Sequence, residues 1–364
     1  MRTFISKELK DLREIFYLLV VGTMLLVGCK DGSVNPVPSG DYSICYEKSY
    51  NGQWEIFTNN ISGTDPQNIS NYHGDDEYPQ WSPDGRYIVY SRRLPSSVVE
   101  IVVYDTKTTT NTMLTNDSVN TGLTPQWTPD GKICYFAQSS YDVYDSGATY
   151  LINPDGSQRK KILDFRATIY FYEDSYNFLY FNGTNVFKTN IDNTTNGLVL
   201  TLPPPGSEQF ITIRDFNPFT RELLVNTNTV ANSSSAIVTI NAETKQTSIV
   251  IIADTGYQLA GQRFSKDYSM IVFNELGAND EYLSVLQSGV KKRLIRILFS
   301  SPPIHFSSVP MEFSPDSKYI AFSEEIYHSG QWVSFSTPLF LIDVTNAIVW
   351  KLDDEAHGPS WNPQ

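Results

Sequence analysis

Residues 78–90 read Tyr-Pro-Gln-Trp-Ser-Pro-Asp-Gly-Arg-Tyr-Ile-Val-Tyr, and this stretch decides the fold because the chain repeats it. Its second proline fixes φ for a tight turn, and its glycine accepts the left-handed backbone that such a turn needs. The β-branched and aromatic residues after the turn favour a buried strand. The stretch therefore predicts a hairpin whose bend is the Trp-Ser-Pro-Asp motif.

The motif recurs along the whole chain. Seven aromatic residues mark its copies: Trp81, Trp127, Tyr172, Phe216, Phe264, Phe313 and Trp361. They are 44 to 49 residues apart, a period that indicates one repeated supersecondary unit. Each unit also contains a second pair of strand-like segments, and four strands are the content of a propeller blade. The sequence predicts an all-β, seven-bladed β-propeller of four-stranded antiparallel blades. Six blades is the alternative, because three of the copies are weak.

The two ends of the chain are predicted to share one blade. The sequence stops at Gln364, inside the last copy of the motif, and residues 40–46 resemble the strand that follows the first copy. Joining residues 361–364 to residues 40–80 restores one repeat. We therefore expect the C-terminus to form the innermost strand of the shared blade and residues 40–70 to form its other three strands. Such closure hides sheet edges and holds both termini.

Residues 1–28 predict a lipoprotein signal peptide. Basic residues are followed by a nearly apolar run of 14 residues, 15–28, which is too short to cross a bilayer comfortably. The segment Leu26-Val-Gly-Cys29 resembles the lipobox of bacterial lipoproteins. This resemblance implies cleavage before Cys29, acylation of its thiol with chains such as palmitate, and an outer-membrane location facing the periplasm or the cell surface. A signal-anchor helix is the alternative. Residues 29–39 are expected to be a flexible tether, and residues 40–364 the propeller.

Charge and cysteine content exclude several classes of protein. The chain has 40 acidic and 27 basic residues and a formal net charge of −13, which argues against a nucleic-acid partner. The basic run Lys291–Arg296 is expected on the outer edge of a blade. Cys45 and Cys134 fall on blades separated by another blade, so both are expected to be unpaired and buried. We expect a monomer that contacts the membrane only through its lipid anchor.

Three copies of the motif resemble the repeat of TolB-type β-propellers. They are residues 78–90, Pro125-Gln-Trp-Thr-Pro-Asp-Gly-Lys132 and Met311-Glu-Phe-Ser-Pro-Asp-Ser-Lys-Tyr-Ile-Ala-Phe322. The resemblance extends over residues 40–364. It implies a rigid disc that binds proteins or peptides through one face or through its central channel. TolB also has an N-terminal α/β domain, which is not expected between Cys29 and Gly40.

Enzymes carry this type of repeat as well. The sequence contains neither the Gly-x-Ser-x-Gly pentapeptide of propeller-bearing prolyl peptidases nor the Ser-x-Asp-x-Gly-x-Thr-Trp box of sialidases. TolB-like oligogalacturonate lyases are more similar, and they hold a metal through histidines on the ring. By that resemblance His73, His305 and His357, which precede inner strands of consecutive blades, are candidate ligands of a divalent metal.

The candidate ligand-binding residues lie in the loops that lead into these inner strands, at one mouth of the channel. They are His73, Asp75, Asp76, Glu77, His305, Asp353, Asp354, Glu355 and His357. Histidine and carboxylate groups suit a divalent metal, and a channel mouth is concave as binding sites usually are. We expect a non-catalytic binding or scaffold module without a cofactor, whose acidic face contacts an envelope protein or peptide. A metal-assisted polysaccharide lyase or hydrolase is the alternative.

Overall fold

A computed structural model of the protein describes residues 38, 40–116, 123–138, 147–182, 184–203, 209–229, 234–298, 311–323 and 338–364. Within these ranges the chain forms 28 β-strands, numbered in chain order. None of the described residues forms a helix long and apolar enough to cross a bilayer.

The strands form seven four-stranded antiparallel sheets, the blades. The strands of each blade are named from the innermost to the outermost. Blade 1 contains β28 (Ala356–Trp361), β1 (Ser43–Tyr50), β2 (Gln53–Asn60) and β3 (Gln67–Asn68). Blade 2 contains β4 (Asp76–Trp81), β5 (Tyr87–Arg93), β6 (Val99–Asp105) and β7 (Thr110–Met113). Blade 3 contains β8 (Leu123–Trp127), β9 (Ile133–Ala137), β10 (Ala148–Ile152) and β11 (Lys160–Leu163).

The remaining four blades continue around the ring in chain order. Blade 4 contains β12 (Ile169–Phe171), β13 (Asn177–Asn182), β14 (Asn185–Asn190) and β15 (Asn196–Thr201). Blade 5 contains β16 (Gln209–Asn217), β17 (Glu222–Thr229), β18 (Ser234–Asn241) and β19 (Thr247–Ile252). Blade 6 contains β20 (Gln258–Phe264), β21 (Met270–Leu276), β22 (Asp280–Gln287) and β23 (Val290–Leu298). Blade 7 contains β24 (Met311–Phe313), β25 (Tyr319–Ser323), β26 (Leu339–Asp343) and β27 (Val349–Asp353).

In the copies that have serine or threonine after the aromatic residue, the motif closes the inner hairpin through that hydroxyl and the aspartate carboxylate. In the first copy, Ser82 Oγ donates to Asp84 Oδ1 at 2.6 Å and accepts the N–H of Tyr87 at 2.8 Å. The hydroxyl groups of Ser265 and Ser314 make the same two contacts in their own turns. Local hydrogen bonds of this kind compete well with extended structure and therefore define a turn. The predicted role of the motif as the bend of a hairpin is confirmed.

The seven-bladed prediction is confirmed and the six-bladed alternative is wrong. Each of the seven motif aromatics lies within one residue of the end of an inner strand. Copies without the glycine still turn, because Tyr268 and Ser317 adopt a φ of 60° at the place where Gly85 has a φ of 65°. A non-glycine residue in this left-handed region is strained by about 1 kcal/mol, which the paired strands on either side outweigh.

Residues 43–68 and 356–361 together form blade 1, as predicted. β28 pairs antiparallel with β1, with Trp361 opposite Ile44 and Ala356 opposite Lys48. The Asn362 N–H also donates to the Ser43 carbonyl at 2.9 Å. The inner edge of β1 is therefore covered by the C-terminus of the same chain.

Apolar clusters fill the spaces between neighbouring blades and form the core. One cluster joins Ile44 and Trp361 of blade 1 to Tyr319 and Leu341 of blade 7. The motif tryptophans also link blades by hydrogen bonds. Trp127 Nε1 donates to the carbonyl of residue 80 at 2.9 Å, and Trp361 Nε1 to that of residue 312 at 3.0 Å. The motif aromatics of these copies therefore pack blade against blade, which is the structural role expected of repeat residues.

The expectations for the cysteines and for the basic run are also confirmed. Cys45 and Cys134 are both unpaired and buried. The basic run lies in β23, the outermost strand of blade 6. There Arg293 pairs with Glu275 at 2.8 Å. These charges lie on an outer sheet edge, where they disfavour strand pairing with another chain.

Candidate functional site

The seven inner strands surround a central channel with a volume of about 1530 Å³. Its wall combines proline and aromatic side chains with a few charged groups, which is the composition of a ligand-binding cavity. One wall residue from each inner strand, in ring order, is Ser360, Gln80, Gln126, Ile169, Asp215, Arg263 and Glu312. All seven blades therefore contribute to the same cavity.

A β-bulge bends the inner strands of blades 1, 2, 3 and 6 beside the channel. Three residues before the motif aromatic, φ is 61° at Gly358, 61° at Tyr78, 46° at Thr124 and 65° at Gly261. Glycine accepts this conformation freely, whereas a residue with a Cβ is strained in it. Glu47 holds Tyr78 there, because its Oε1 accepts the Tyr78 N–H at 2.7 Å. The Tyr78 side chain lines the channel and is 45% exposed.

Tyr78 belongs to a cluster on the channel wall that we call the Tyr78 rim: Glu47, Trp54, Glu77, Tyr78 and His357. The rings of Trp54 and His357 have centroids 4.5 Å apart at an angle of 59°. His357 Nδ1 lies 3.4 Å from Glu47 Oε2. Burial lowers the pKa of His357 to about 4, so its imidazole is neutral at pH 7. The rim therefore offers aromatic surface, a neutral imidazole and carboxylates to a ligand.

The structure separates the predicted site residues of blade 2. Glu77 lies on the channel wall, and burial raises its pKa. Asp76 is fully buried instead, and its two carboxylate oxygens accept hydrogen bonds from Arg92 at 2.9 and 3.0 Å. Asp75 accepts a main-chain N–H of β2 at 3.0 Å, and His73 is exposed. Side chains alternate along a strand, so adjacent carboxylates face opposite sides.

The structure also separates the predicted site residues at the start of β28 from those just before it. His357 lies on the channel wall. Asp353 ends the outer strand β27, where it is buried and forms an ion pair with Lys48 at 2.8 Å. Asp354 and Glu355 are exposed in the turn that follows. An outer strand lies farthest from the channel, which is why its last residue contacts the neighbouring sheet rather than the cavity.

Two predicted residues, His305 and Cys29, lie outside the described residues. The predicted metal ligands and the predicted lipidation site therefore stay predictions. Among the residues that the structure does describe, no three His, Cys, Asp or Glu side chains are grouped so that they can hold a metal ion.

The opposite wall carries charged residues that the sequence reasoning missed. Asp215, Arg263, Lys266 and Glu312 line the channel in blades 5, 6 and 7. Lys266 Nζ pairs with Glu312 Oε1 at 2.6 Å and so joins two blades. The signal was present in the sequence, because three of the four stand directly before a motif aromatic, where blades 2 and 3 have glutamine. The channel wall thus carries both signs of charge, in addition to the acidic residues that the sequence analysis selected.

No protein-family model matches the chain, and no curated protein matches it by sequence. Similar solved structures are propeller proteins. TolB from Acinetobacter baumannii is 15% identical over 91% of this chain and 69% of that one, with a TM-score of 0.49. An oligogalacturonate lyase in complex with manganese is 11% identical over 85% and 83%, with a TM-score of 0.57. A puromycin-hydrolyzing peptidase of Mycobacterium tuberculosis is 12% identical over 88% of this chain and 53% of its own, with a TM-score of 0.60.

The chain spans about half the length of that peptidase. At these identities the likeness shows the fold alone. The similar proteins include enzymes as well as TolB. The activity of any one of them is therefore not transferred by the shared architecture.

Proposed function

We propose that the protein is a non-catalytic binding module of the cell envelope, anchored by lipid at Cys29, that holds a protein or peptide segment at the Tyr78 rim. The observation that carries this proposal is the backbone conformation of Tyr78. An aromatic residue stands there, half exposed to the channel, in a conformation that favours glycine. Strain of this kind is typical of residues that contact ligands.

The other blades supply an internal comparison for Tyr78. Blades 1 and 6 have Gly358 and Gly261 at the same bulge position, with nearly the same φ. The bulge itself therefore does not need a side chain. Keeping tyrosine there strains the backbone by about 1 kcal/mol. Thr124 of blade 3 has this conformation with a smaller side chain, and at Tyr78 we infer that contact with a ligand offsets the strain.

The chemistry of the rim favours a peptide segment as the ligand. Trp54 and Tyr78 supply flat apolar surface, and prolines such as Pro79 and Pro125 line the wall beside them. Aromatic side chains with a polar tip are the usual anchors of protein interfaces. Glu77 adds a carboxylate that suits a basic group of the partner.

Capture from an envelope extract tests the rim. Purified protein and its Tyr78→Ala variant are immobilised, and the bound proteins are compared by mass spectrometry. Alanine keeps the strain of the bulge but removes the ring, so we expect a specific partner to be lost. Phe219→Ala is the matched control, since Phe219 is 67% exposed in the turn after β16. The same partners on all three proteins would refute the rim as the binding site.

The anchor is tested separately. Cells that express the wild-type chain or Cys29→Ser are labelled with palmitate and fractionated. We expect label on the wild-type protein and its recovery with the outer membrane, whereas the variant carries no label. The apolar run before Cys29 supports this expectation. Label on the Cys29→Ser protein would contradict it.

A metal-assisted polysaccharide lyase or hydrolase is the second candidate. The half-buried His357 on the channel wall favours it, and one protein of similar fold is an oligogalacturonate lyase in complex with manganese. Manganese binding by the purified protein and the release of unsaturated sugars from polygalacturonate test this candidate. Both must be present in the wild type and lost in His357→Ala. The absence of both from the wild type leaves the binding module as the proposal.

A further inference from the structure

Not every arginine of this acidic protein forms an ion pair with a carboxylate. Those on the outside of the blades form ion pairs, among them Arg86 with Asp105, Arg221 with Glu173 and Arg296 with Asp280. Arg214 and Arg263 differ from these, because within the described ranges neither forms an ion pair with a carboxylate. Both lie beside the channel, in the inner strands of blades 5 and 6.

These two arginines are close to each other. Arg263 lines the channel, and its Nη1 donates to the carbonyl of Arg214. The Arg214 side chain is half-buried, and its Nε is buried without a hydrogen-bond partner in the described part of the chain. Burial lowers the pKa of Arg214, and the positive charge of Arg263 lowers it further. Two like charges in such a place are unfavourable unless an anion lies between or beside them.

Asp215 follows Arg214 in β16 and lines the channel with Arg263, yet its carboxylate already accepts two main-chain hydrogen bonds. Its Oδ1 accepts the N–H of Phe216 and its Oδ2 accepts the N–H of Phe264, both at 2.9 Å. Burial raises its pKa, and the positive charge of Arg263 lowers it. The carboxylate of Asp215 therefore ties blade 5 to blade 6 and leaves the guanidinium donors available.

Tyr170, in β12 of blade 4, adds a third donor. The negative charge of Asp215 and the positive charges of Arg263 and Arg214 all act on its hydroxyl. Burial nevertheless raises the pKa of Tyr170 to about 12, so the hydroxyl keeps its proton at pH 7. The cluster thus combines two guanidinium groups with a neutral phenol, and all three residues come from inner strands of consecutive blades.

We propose that Arg263 at the wall of the central channel, with Arg214 and Tyr170 next to it, binds an oxyanion, the carboxylate or phosphate group of a ligand. The fork of N–H groups on a guanidinium matches both kinds of oxyanion. This proposal deepens the proposed function and rests on the channel being the binding cavity. It assigns an anionic end to a ligand whose other end meets the aromatic and acidic Tyr78 rim.

Anion-dependent stability of the purified full-length protein tests the site. Thermal unfolding is measured while sodium chloride is replaced stepwise by sodium acetate or by sodium phosphate at constant ionic strength and pH. We expect a saturable rise in melting temperature with one or both anions. A stronger effect of acetate indicates a carboxylate ligand, and a stronger effect of phosphate indicates a phosphate ligand. If neither anion differs from chloride, the oxyanion site is refuted.

Three variants separate binding from a structural role. Arg263→Gln and Arg214→Gln are expected to weaken the anion effect about tenfold or more, because each removes charged hydrogen bonds. Arg86→Gln, which breaks a surface ion pair, is the matched control and keeps the wild-type response. In chloride, Arg214→Gln is expected to be no less stable than the wild type, since it relieves the repulsion. An equal loss of stability in all three salts would show a structural role and overturn the proposal.

The two proposals fail independently. The Tyr78 rim is formed by blades 1 and 2, whereas the oxyanion cluster lies in blades 4, 5 and 6. Loss of the captured partner in Tyr78→Ala together with no anion effect would retain the rim and remove the oxyanion site. An anion effect without a rim-dependent partner would retain the oxyanion site and remove the rim.

Discussion

At the scale of single residues, burial decides the protonation state of His357. The imidazole lies against Trp54 with its side chain 26% exposed, and burial lowers its pKa to about 4 from an ordinary value of 6.5. The folded state thus binds this proton less tightly than the unfolded state. The contribution of His357 to stability is therefore complete above pH 6.5 and is lost as the pH falls toward 4.

The pH dependence of unfolding measures this effect. Between about pH 7 and about pH 5, we expect the free energy of unfolding of the wild type to fall by about 2 kcal/mol more than that of His357→Gln. The glutamine does not titrate, so the difference between the proteins isolates the imidazole. Urea unfolding at the two pH values provides the numbers. Equal falls for both proteins would mean that His357 titrates in the folded protein as it does in the unfolded chain.

Asp76 is a buried carboxylate whose charged partner, Arg92, is also buried. Asp76→Asn removes the counter-charge of Arg92, which is itself 7% exposed. Since an isolated buried guanidinium is unfavourable, we expect a loss of about 3–5 kcal/mol in chemical unfolding. The double variant Asp76→Leu/Arg92→Met removes both charges and is expected to recover much of that loss. If Asp76→Asn unfolds like the wild type, the pair is not what holds β4 to β5.

At the scale of elements, the motif turn is the unit that builds the blades. Ser314 is fully buried, donates to Asp316 at 2.7 Å and accepts the N–H of Tyr319 at 3.0 Å. Threonine occupies the equivalent place in blade 3, where Thr128 also contacts the aspartate two residues on. The hydroxyl is therefore common to the turns of blades 2, 3, 6 and 7, where a methyl group is tolerated, whereas Glu173 and Asn217 stand at this place in blades 4 and 5.

Substitution of this serine tests the requirement. We expect Ser314→Ala to lower the free energy of unfolding by about 1–3 kcal/mol, because a buried N–H and a carboxylate oxygen lose their partner. Ser314→Thr retains the hydroxyl and is expected to stay within about 1 kcal/mol of the wild type. Both are compared by denaturant unfolding. A threonine variant as unstable as the alanine variant would show that space, and not the hydroxyl, limits this turn.

At the scale of the whole molecule, the ring is held shut by one strand. β28 covers the inner edge of β1, and Trp361 fills the apolar cluster between blades 7 and 1. Without it, both an unpaired edge and an apolar surface are exposed to water. The last strand therefore contributes to the stability of all seven blades.

Removal of residues 356–364 tests closure of the ring. We expect the truncated chain to lose its sharp thermal transition and to aggregate, because its first and last blades no longer meet. Adding a synthetic peptide of the same residues is expected to restore part of the transition, and a peptide in scrambled order serves as the control. A truncated chain that melts as the wild type does would show that β28 is dispensable.

Much of the architecture could be predicted because the information is local. The Trp-Ser-Pro-Asp turn and the strand after it lie within about a dozen residues, and their repetition sets the number of blades without knowledge of any distant contact. The shared blade followed from the same count. Glu77 and His357 lie beside the channel, at the start of the inner strands β4 and β28.

The repeat, the seven blades and their closure thus follow from the sequence alone. The motif that reappears from Trp81 to Trp361 is sufficient to predict them. Which side chains face the channel depends on the tertiary structure. Neighbours such as Asp76 and Glu77 are separated by the alternation of one strand, and the bulge at Tyr78 changes that alternation locally. Arg214 and Arg263 are 49 residues apart in the sequence, and Arg263 reaches the carbonyl of Arg214 because blade 5 packs against blade 6. A local pattern cannot encode that contact, because it depends on the packing of one blade against the next.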